Sequence, residues 1–295
     1  MSKLLDPKVL MAIKPLSLAA KATIDGFMHG INKSTIKGPG MEFSQYRSYQ
    51  AGDDLRSLDW KMFARSDRYY IRESELETSI SVRLLIDASA SMNHSDGNQT
   101  KMDYACYAAA SLAYLANLQG DAVGLYIFKN TGLFAMNTRQ DYQHLNRLFY
   151  QLENIKPEGN FTQAIQYKEM FAGPRKRELL IFFTDFYQQN DELFKLLDTL
   201  LPLRHEILVF HLLSNNELEL DFKGFSSFED LESGQIVQID QKKAKSAYQE
   251  RMAEYLQTTR AEMLNRNIYY RTLNTNQALD QALRDFLNQR NKLNH

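Results

Sequence analysis

Along this chain, short apolar runs of strand length alternate with longer stretches in which apolar residues recur at helical spacing. Residues 80–86, Ile-Ser-Val-Arg-Leu-Leu-Ile, form the first such run and read as a buried strand. Residues 101–118 are rich in Ala and Leu and read as a helix lying on a sheet. Residues 123–128 are expected as a strand, with 132–136 as a hairpin partner, and 142–152 as a helix. Residues 178–184 read as a central strand and 207–213 as another. Between them, 191–200 is amphipathic, with Leu193, Leu196, Leu197 and Leu200 on one side. Strands alternating with helices predict an α/β fold, a mostly parallel Rossmann-like sheet flanked by helices.

The flanks are less regular. Residues 9–28 show mixed apolar spacing, with Pro15 as a helix break or start. Residues 41–50 partly alternate, with Phe43 and Tyr49 at like parity, which predicts a short strand. Gly52-Asp53-Asp54 is a turn signal, and Asp54 is expected to cap a helical segment running through Trp60 to Ala64. Residues 68–75 return as a second extended piece. Beyond the core, Ser233-Gly234 within 225–240 predicts a hairpin. Residues 243–266 place Tyr248, Met252, Tyr255, Leu256, Thr259 and Met263 on one helical face. Residues 268–273 supply a closing strand and 277–293 a last helix. The expected organisation is a small N-terminal segment over 1–79 and an α/β domain over 80–295, with a β-hairpin insertion near 221–241.

Composition narrows the classes. With 295 residues, 44% of them hydrophobic, the chain can bury a sizeable core. Its 35 basic and 36 acidic residues nearly cancel, which argues against a nucleic-acid or membrane-surface binder. Cys106 is the sole cysteine, so no intrachain disulfide forms, and its apolar neighbours make it a core residue. No apolar run approaches the roughly 20 residues of a membrane span. The leading residues, broken by Lys8, Lys14 and Pro15, lack a signal-peptide core. The expected location is cytoplasmic.

The candidate chemistry lies where the first apolar run ends. Asp87-Ala88-Ser89-Ala90-Ser91 sets one carboxylate and two hydroxyls on the loop at the carboxyl end of a strand. Ligands of open α/β sheets collect at that edge, and such oxygens suit Mg²⁺ or Mn²⁺. The alternative is a Ser-rich turn capping the next helix. No P-loop, G-x-G-x-x-G or G-x-S-x-G is present, and the six histidines show no zinc spacing. His94, in the polar loop after Ser91, lies near the candidate site; His205 and His211 lie near the sheet.

D-x-S-x-S after a buried strand resembles the metal-ion-dependent adhesion site of von Willebrand factor type A domains. Gly120-Asp121 followed by residues 122–128 is similar to that family's second strand, and Asp185, ending the run 179–185, stands where its distal metal-site Asp belongs. The segment Pro157-Glu158-Gly159-Asn160-Phe161-Thr162 offers the middle ligand, as Thr162 or, two positions earlier, Asn160. Residues 38–73, GPGMEFSQYRSYQAGDDLRSLDWKMFARSDRYYIRE, resemble the signature of the bacterial family called domain of unknown function 58. The matching positions are Gly40, Glu42, Phe43, Arg47, Tyr49, Gly52, Asp53, Asp54, Arg56, Asp59, Trp60, Ala64, Arg65 and Glu73. That resemblance covers most of the chain. Many members carry membrane spans ahead of the signature, and no such span is read here.

The resemblance implies a metal site of Asp87, Ser89, Ser91, Thr162 and Asp185, with Mg²⁺ or Mn²⁺ bridging to an Asp or Glu of a protein partner. It also implies a non-enzymatic interaction module, an adaptor or partner of a MoxR-type AAA+ ATPase in assembly or remodelling of protein complexes. The alternatives are a metal-dependent, phosphoesterase-like hydrolase and a structural module whose metal site is empty. In the signature, Asp53, Asp54, Arg56 and Asp59 read either as a carboxylate pair with an electrophilic Arg or as a helix cap and ion-pair lattice against Arg47 and Arg65. The second is expected, with Trp60 as a packing anchor.

Overall fold

The computed structural model describes residues 43–50, 58–74, 80–97, 99–161, 177–188, 191–221, 227–238, 241–279 and 281–283, with Leu18, Ala20 and Ile24 ahead of them. The chain divides into two compact units, Thr35–Ser79 and the remainder.

In the larger unit, a sheet of six strands takes its order from the apolar runs. These are β3 (Ser81–Asp87), β4 (Ala122–Lys129), β5 (Gly132–Arg139), β6 (Glu178–Thr184), β7 (Glu206–Leu213) and β10 (Tyr269–Asn274). They lie in the order β10-β7-β6-β3-β4-β5. All neighbours run parallel except β5, which returns antiparallel along β4. Counted within this sheet, that is the doubly wound order 3-2-1-4-5-6, whose switch point falls between its first and fourth strands. Here those strands are β3 and β6.

Side chains of each strand alternate between two cores. Leu84 and Ile86 of β3 join Leu125 and Ile127 of β4 on one face. There they meet α2 (Lys101–Leu118) and α3 (Tyr142–Glu153) through Ala105, Ala109, Leu112 and Leu148. Leu85, Tyr126, Phe128 and Phe182 face the other way, onto Leu193, Leu196 and Leu197 of α4 (Glu192–Leu200) and Met263 of α6 (Gln241–Asn265). Each fully buried Leu, Ile or Phe contributes about 1.5–3 kcal/mol. Small Ala residues along α2 let that long helix lie close to the sheet, and Ala20 joins the same cluster. Two helix starts are reinforced by capping: Thr100 and Asp103 form a capping box ahead of α2, and Asp141 accepts from His144 N ahead of α3.

The expected helix over 243–266 is α6, though only Thr259 and Met263 of its predicted face are buried. The hairpin insertion is β8 (Ser227–Glu229) paired with β9 (Ile236–Gln238). Of the last expected helix, residues 279 and 281–283 are described and helical.

In the smaller unit, β1 (Phe43–Ser48) pairs antiparallel with β2 (Tyr70–Ser74), and α1 (Trp60–Ser66) lies between them in sequence. The cap of α1 differs from expectation. Asp59 accepts from Lys61 N at 2.9 Å and Met62 N at 3.0 Å, so the helix starts at Trp60. Asp54, expected as the cap, lies outside the described residues with Asp53 and Arg56. Trp60 is 62% exposed, which corrects its expected role as a packing anchor; the stacked pair here is Phe63 and Tyr69, 4.5 Å apart.

Candidate functional site

β3 and β6 end side by side, with Ile86 opposite Phe183. Asp87 and Asp185 therefore leave adjacent strand tips at the switch point. Asp87 is fully buried. Its Oδ2 accepts from Thr184 Oγ1 at 2.7 Å and its Oδ1 from Ser89 N at 3.0 Å. The Ser89 and Ser91 hydroxyls lie 3.0 Å apart, and Ser91 Oγ donates to Asp185 Oδ1 at 3.1 Å. Tyr187 N donates to the same oxygen at 3.2 Å. Four sequence-predicted residues, Asp87, Ser89, Ser91 and Asp185, thus converge on one buried polar patch.

Asn160 lies in a segment that is knitted to this patch. Ala90 N donates to Gly159 O at 2.7 Å and Glu158 N to Ala88 O at 3.0 Å. Gly159 has φ +65°, and a Cβ there would strike the side chain of Asn130. Thr162, the expected middle ligand, lies outside the described residues. His94 pairs through Nε2 with Asn216 Oδ1 at 3.0 Å. His211 is buried, its Nδ1 2.6 Å from the Tyr270 hydroxyl. Cys106 is buried, its thiol facing Leu152 O at 3.4 Å, and burial raises its pKa.

Three participants escaped sequence reasoning. Lys101 Nζ donates to Asp185 Oδ2 at 3.0 Å and to Glu217 Oε1 at 2.5 Å. Glu217 belongs to α5 (Asn215–Glu219), a short helix opened by a capping box from Ser214. The spacing of Ser214 and Glu217, and of Thr100 and Asp103, was a readable signal for both helix starts. Glu232, in the turn between β8 and β9, is the third. Its Oε1 is buried, and the Ser91 hydroxyl bears on its carboxylate. Burial, then Asp185 and Asp87, raise its pKa to about 7. Asp230 anchors that turn, accepting from the Tyr187 hydroxyl and from Glu232 N.

The loop after β6 is held in a costly conformation. Phe186 has φ +57°, a region that disfavours a bulky side chain by about 1–3 kcal/mol. Its ring is fixed among Phe194, His211 and Tyr270, and its N–H reaches Thr184 Oγ1 at 3.1 Å.

Electrostatics separates the two aspartates. Burial, then the nearby Asp185 charge, raise the Asp87 pKa to about 7 against the pull of Thr184 and Ser89. Burial also opposes the Asp185 charge, but Lys101, Tyr187 N–H and Ser91 hold its pKa below the ordinary value. Burial disfavours the Lys101 charge as well, yet Asp185 and Glu217 raise its pKa. Among the described residues no three His, Cys, Asp or Glu side chains gather as a metal cluster. The donor set is instead two carboxylates and two hydroxyls, all hard oxygens.

D-x-S-x-S and a distal aspartate across the switch point of a doubly wound sheet form an arrangement similar to that of von Willebrand factor type A domains. The chain belongs to the family described as Protein of unknown function DUF58, whose model matches residues 45–259. It is similar to the uncharacterized protein Rv1480 of Mycobacterium tuberculosis, at 28% identity over 234 residues, covering 78% of this chain and 73% of that one. Among solved structures it is similar to the conserved hypothetical protein BatB from Bacteroides thetaiotaomicron, at 15% identity and a TM-score of 0.47, over 72% of this chain and 100% of that one. It is also similar to the SpRpn10 VWA domain, at 11% identity and a TM-score of 0.40, over 70% of this chain and 94% of that one.

Proposed function

We propose that this protein is a non-enzymatic, metal-dependent docking module that engages a carboxylate of a protein partner at the tip of its sheet. The observation that carries the reading is the convergence of Asp87, Ser89, Ser91 and Asp185 at the switch point. Hard oxygens of this kind fit Mg²⁺ or Mn²⁺. The charge of buried Asp185 also disfavours that of buried Asp87 beside it, a repulsion that a divalent ion would relieve. Ser89 and Ser91 would hold the ion directly, and Asp87 and Asp185 directly or through water, with Thr162 or Asn160 as the middle donor. The ion supplies a Lewis-acidic position for an incoming Asp or Glu, and neutral hydroxyls around it preserve that acidity. Charge-assisted contacts of this kind add direction to surface burial.

The partner inferred from the family resemblance is a MoxR-type AAA+ ATPase, and the place of action the cytoplasm. Among the described residues no helix is long and apolar enough to cross a membrane. A hydrolase is the other reading, since a carboxyl with a pKa of about 7 has the value of a general base. Both Asp87 oxygens, however, are engaged by Thr184 and Ser89, deep beneath the loop. That makes Asp87 a positioning group and favours docking.

The test is capture of a MoxR-type ATPase from the same genome by the immobilised full chain, with Mg²⁺ and with EDTA. Retention is expected in Mg²⁺, with loss in EDTA and in Asp87→Ala. Retention that ignores EDTA removes the metal from the reading. No retention in either solution removes the partner. Divalent-dependent phosphatase or esterase turnover abolished by Asp87→Ala replaces docking with hydrolysis.

A further inference from the structure

Lys101 is the first residue of α2, and only 3% of it is exposed. Neither circumstance suits a cation. The first turn of a helix carries the positive end of the backbone dipole, and a buried ammonium loses its hydration. Its backbone is nevertheless fixed there, by the Thr100–Asp103 capping box and by Lys101 N donating to His94 O at 3.0 Å. Its partners are fixed too. Asp185 Oδ1 is held by Ser91 and Tyr187 N, leaving Oδ2 to the lysine at 3.0 Å. Glu217 Oε2 accepts from Ser214 N at 2.9 Å and Ser214 Oγ at 2.6 Å, leaving Oε1 to the lysine at 2.5 Å.

We propose that Lys101 is the resident counter-charge of this site: it holds Asp185 in place and aimed at Ser91 before any metal arrives, and it competes with a divalent ion for that carboxylate. The proposal rests on reading the Asp87–Asp185 patch as an ion site and adds what sets its affinity. An ion among Asp87, Ser89, Ser91 and Asp185 draws negative charge away from the ammonium and repels it at close range. Glu217 is then the partner on which Lys101 leans. The site is ordered without metal, and its hold on metal is weakened by its own lysine. Lys101 acts through Asp185, so it is a positioning residue.

The test uses the full chain with Mn²⁺ alone, reading melting temperature in EDTA and in Mn²⁺, and Mn²⁺ affinity by calorimetry. Lys101→Met is expected to melt about 5–10 °C below the unaltered chain in EDTA, because buried Asp185 and part-buried Glu217 lose their partner. Mn²⁺ is expected to recover most of that loss and to bind the variant about tenfold more tightly. Equal Mn²⁺ affinity in the two proteins overturns the role of Lys101 and leaves the ion site standing. Binding to neither protein overturns the ion and the competition together. Should Lys101→Met not fold in either solution, Glu217→Gln decides. That change leaves Lys101 bearing on Asp185 alone, so Mn²⁺ is expected to bind about threefold more weakly, and unchanged affinity overturns the proposal.

Discussion

Asp87 and Asp185 stand at adjacent strand tips, both buried, both tied to a serine of the same loop, and yet their electrostatics are opposite. Among the described residues Asp87 receives neutral donors, Thr184 Oγ1 and the N–H and hydroxyl of Ser89, and its pKa climbs to about 7. Asp185 receives a lysine, and its pKa falls below the ordinary value. Hydrogen bonds alone do not offset the burial of the first, whereas a full charge offsets that of the second. One half of the site is therefore settled within the fold, and the other half is where the proposed ion would act. That asymmetry is what a device responsive to an ion requires, and each experiment below attacks one side of it.

The largest effect belongs to Asp185. Asp185→Ala removes the lysine's more buried carboxylate, the Ser91 acceptor and the Tyr187 N–H acceptor at once. We expect a loss of about 3–5 kcal/mol in urea unfolding, the cost of stranding a buried charge. A loss under about 1 kcal/mol would mean that Glu217 alone satisfies Lys101. The partner test at Asp87 has the opposite sign. A pKa raised in the folded state means that the folded chain binds more protons between about 4 and 7, so ionising Asp87 costs stability as pH rises through that window. The Asp185 contribution is instead present above the ordinary value and fades only as pH falls through its lowered one. Asp87→Asn in EDTA is thus expected to gain on the unaltered chain from pH 5 to pH 7.5, on the order of 2–3 kcal/mol. Taking the difference between the two proteins cancels His211, whose pKa burial lowers to about 4, while Glu232, whose pKa the Asp87 charge helps to raise, adds to the variant's gain with the same sign. Mg²⁺ at pH 7.5 is expected to stabilise only the unaltered chain. A difference that does not change with pH would show Asp87 ionised at no cost.

Thr184→Val keeps the shape of the hydroxyl-bearing side chain but removes the donor to Asp87 Oδ2 and the acceptor for Phe186 N. With a buried carboxylate oxygen and a strained backbone both deprived, a loss of about 1–3 kcal/mol is expected by denaturant titration. The loss should shrink below pH 5, where Asp87 is protonated and less in need of a donor. A loss that stays constant with pH would assign the hydroxyl to Phe186 alone.

How much of this was legible before the fold was seen depends on distance along the chain. β6 was readable to the residue, because Glu178–Thr184 is an uninterrupted apolar run between polar ends. α2 was equally clear from its Ala and Leu content. Asp185 could be paired with Asp87, Ser89 and Ser91 through the resemblance to von Willebrand factor type A domains, and the doubly wound order puts their strands side by side. Lys101 could not be read that way. A lysine opening a helix looks like a solvated side chain, and only α5, through Glu217 116 residues later, closes over it. Glu232 was hidden for the same reason, its hairpin reaching the site only in the folded chain. Gly52-Asp53-Asp54 reads as a helix start because a Gly-Asp-Asp turn signals one. The cap goes to the carboxylate beside the first helical residue, where it can reach two free N–H groups. Phe186 gave no sign, since nothing in a Thr-Asp-Phe-Tyr run marks a left-handed backbone that only tertiary packing sustains.

The finest distinction falls on the two serines, which chemistry makes alike and geometry does not. Ser91 Oγ bonds a charged acceptor, Asp185 Oδ1. The Ser89 hydroxyl lies 3.0 Å from the Ser91 hydroxyl and bears also on Asp87, whose charge burial disfavours. Hydrogen bonds to charged groups contribute more than neutral ones, so Ser91→Ala is expected to cost about 1.5–2 kcal/mol and Ser89→Ala about 0.5–1 kcal/mol in metal-free protein. Adding Mn²⁺ should erase that ranking. Both hydroxyls then serve the same ion, and each deletion should weaken Mn²⁺ binding by a similar factor of about ten. Paired unfolding and calorimetric measurements on the two variants separate the cases. If Ser91→Ala alone weakens Mn²⁺, Ser89 is part of the frame of the loop rather than of the ion's surroundings.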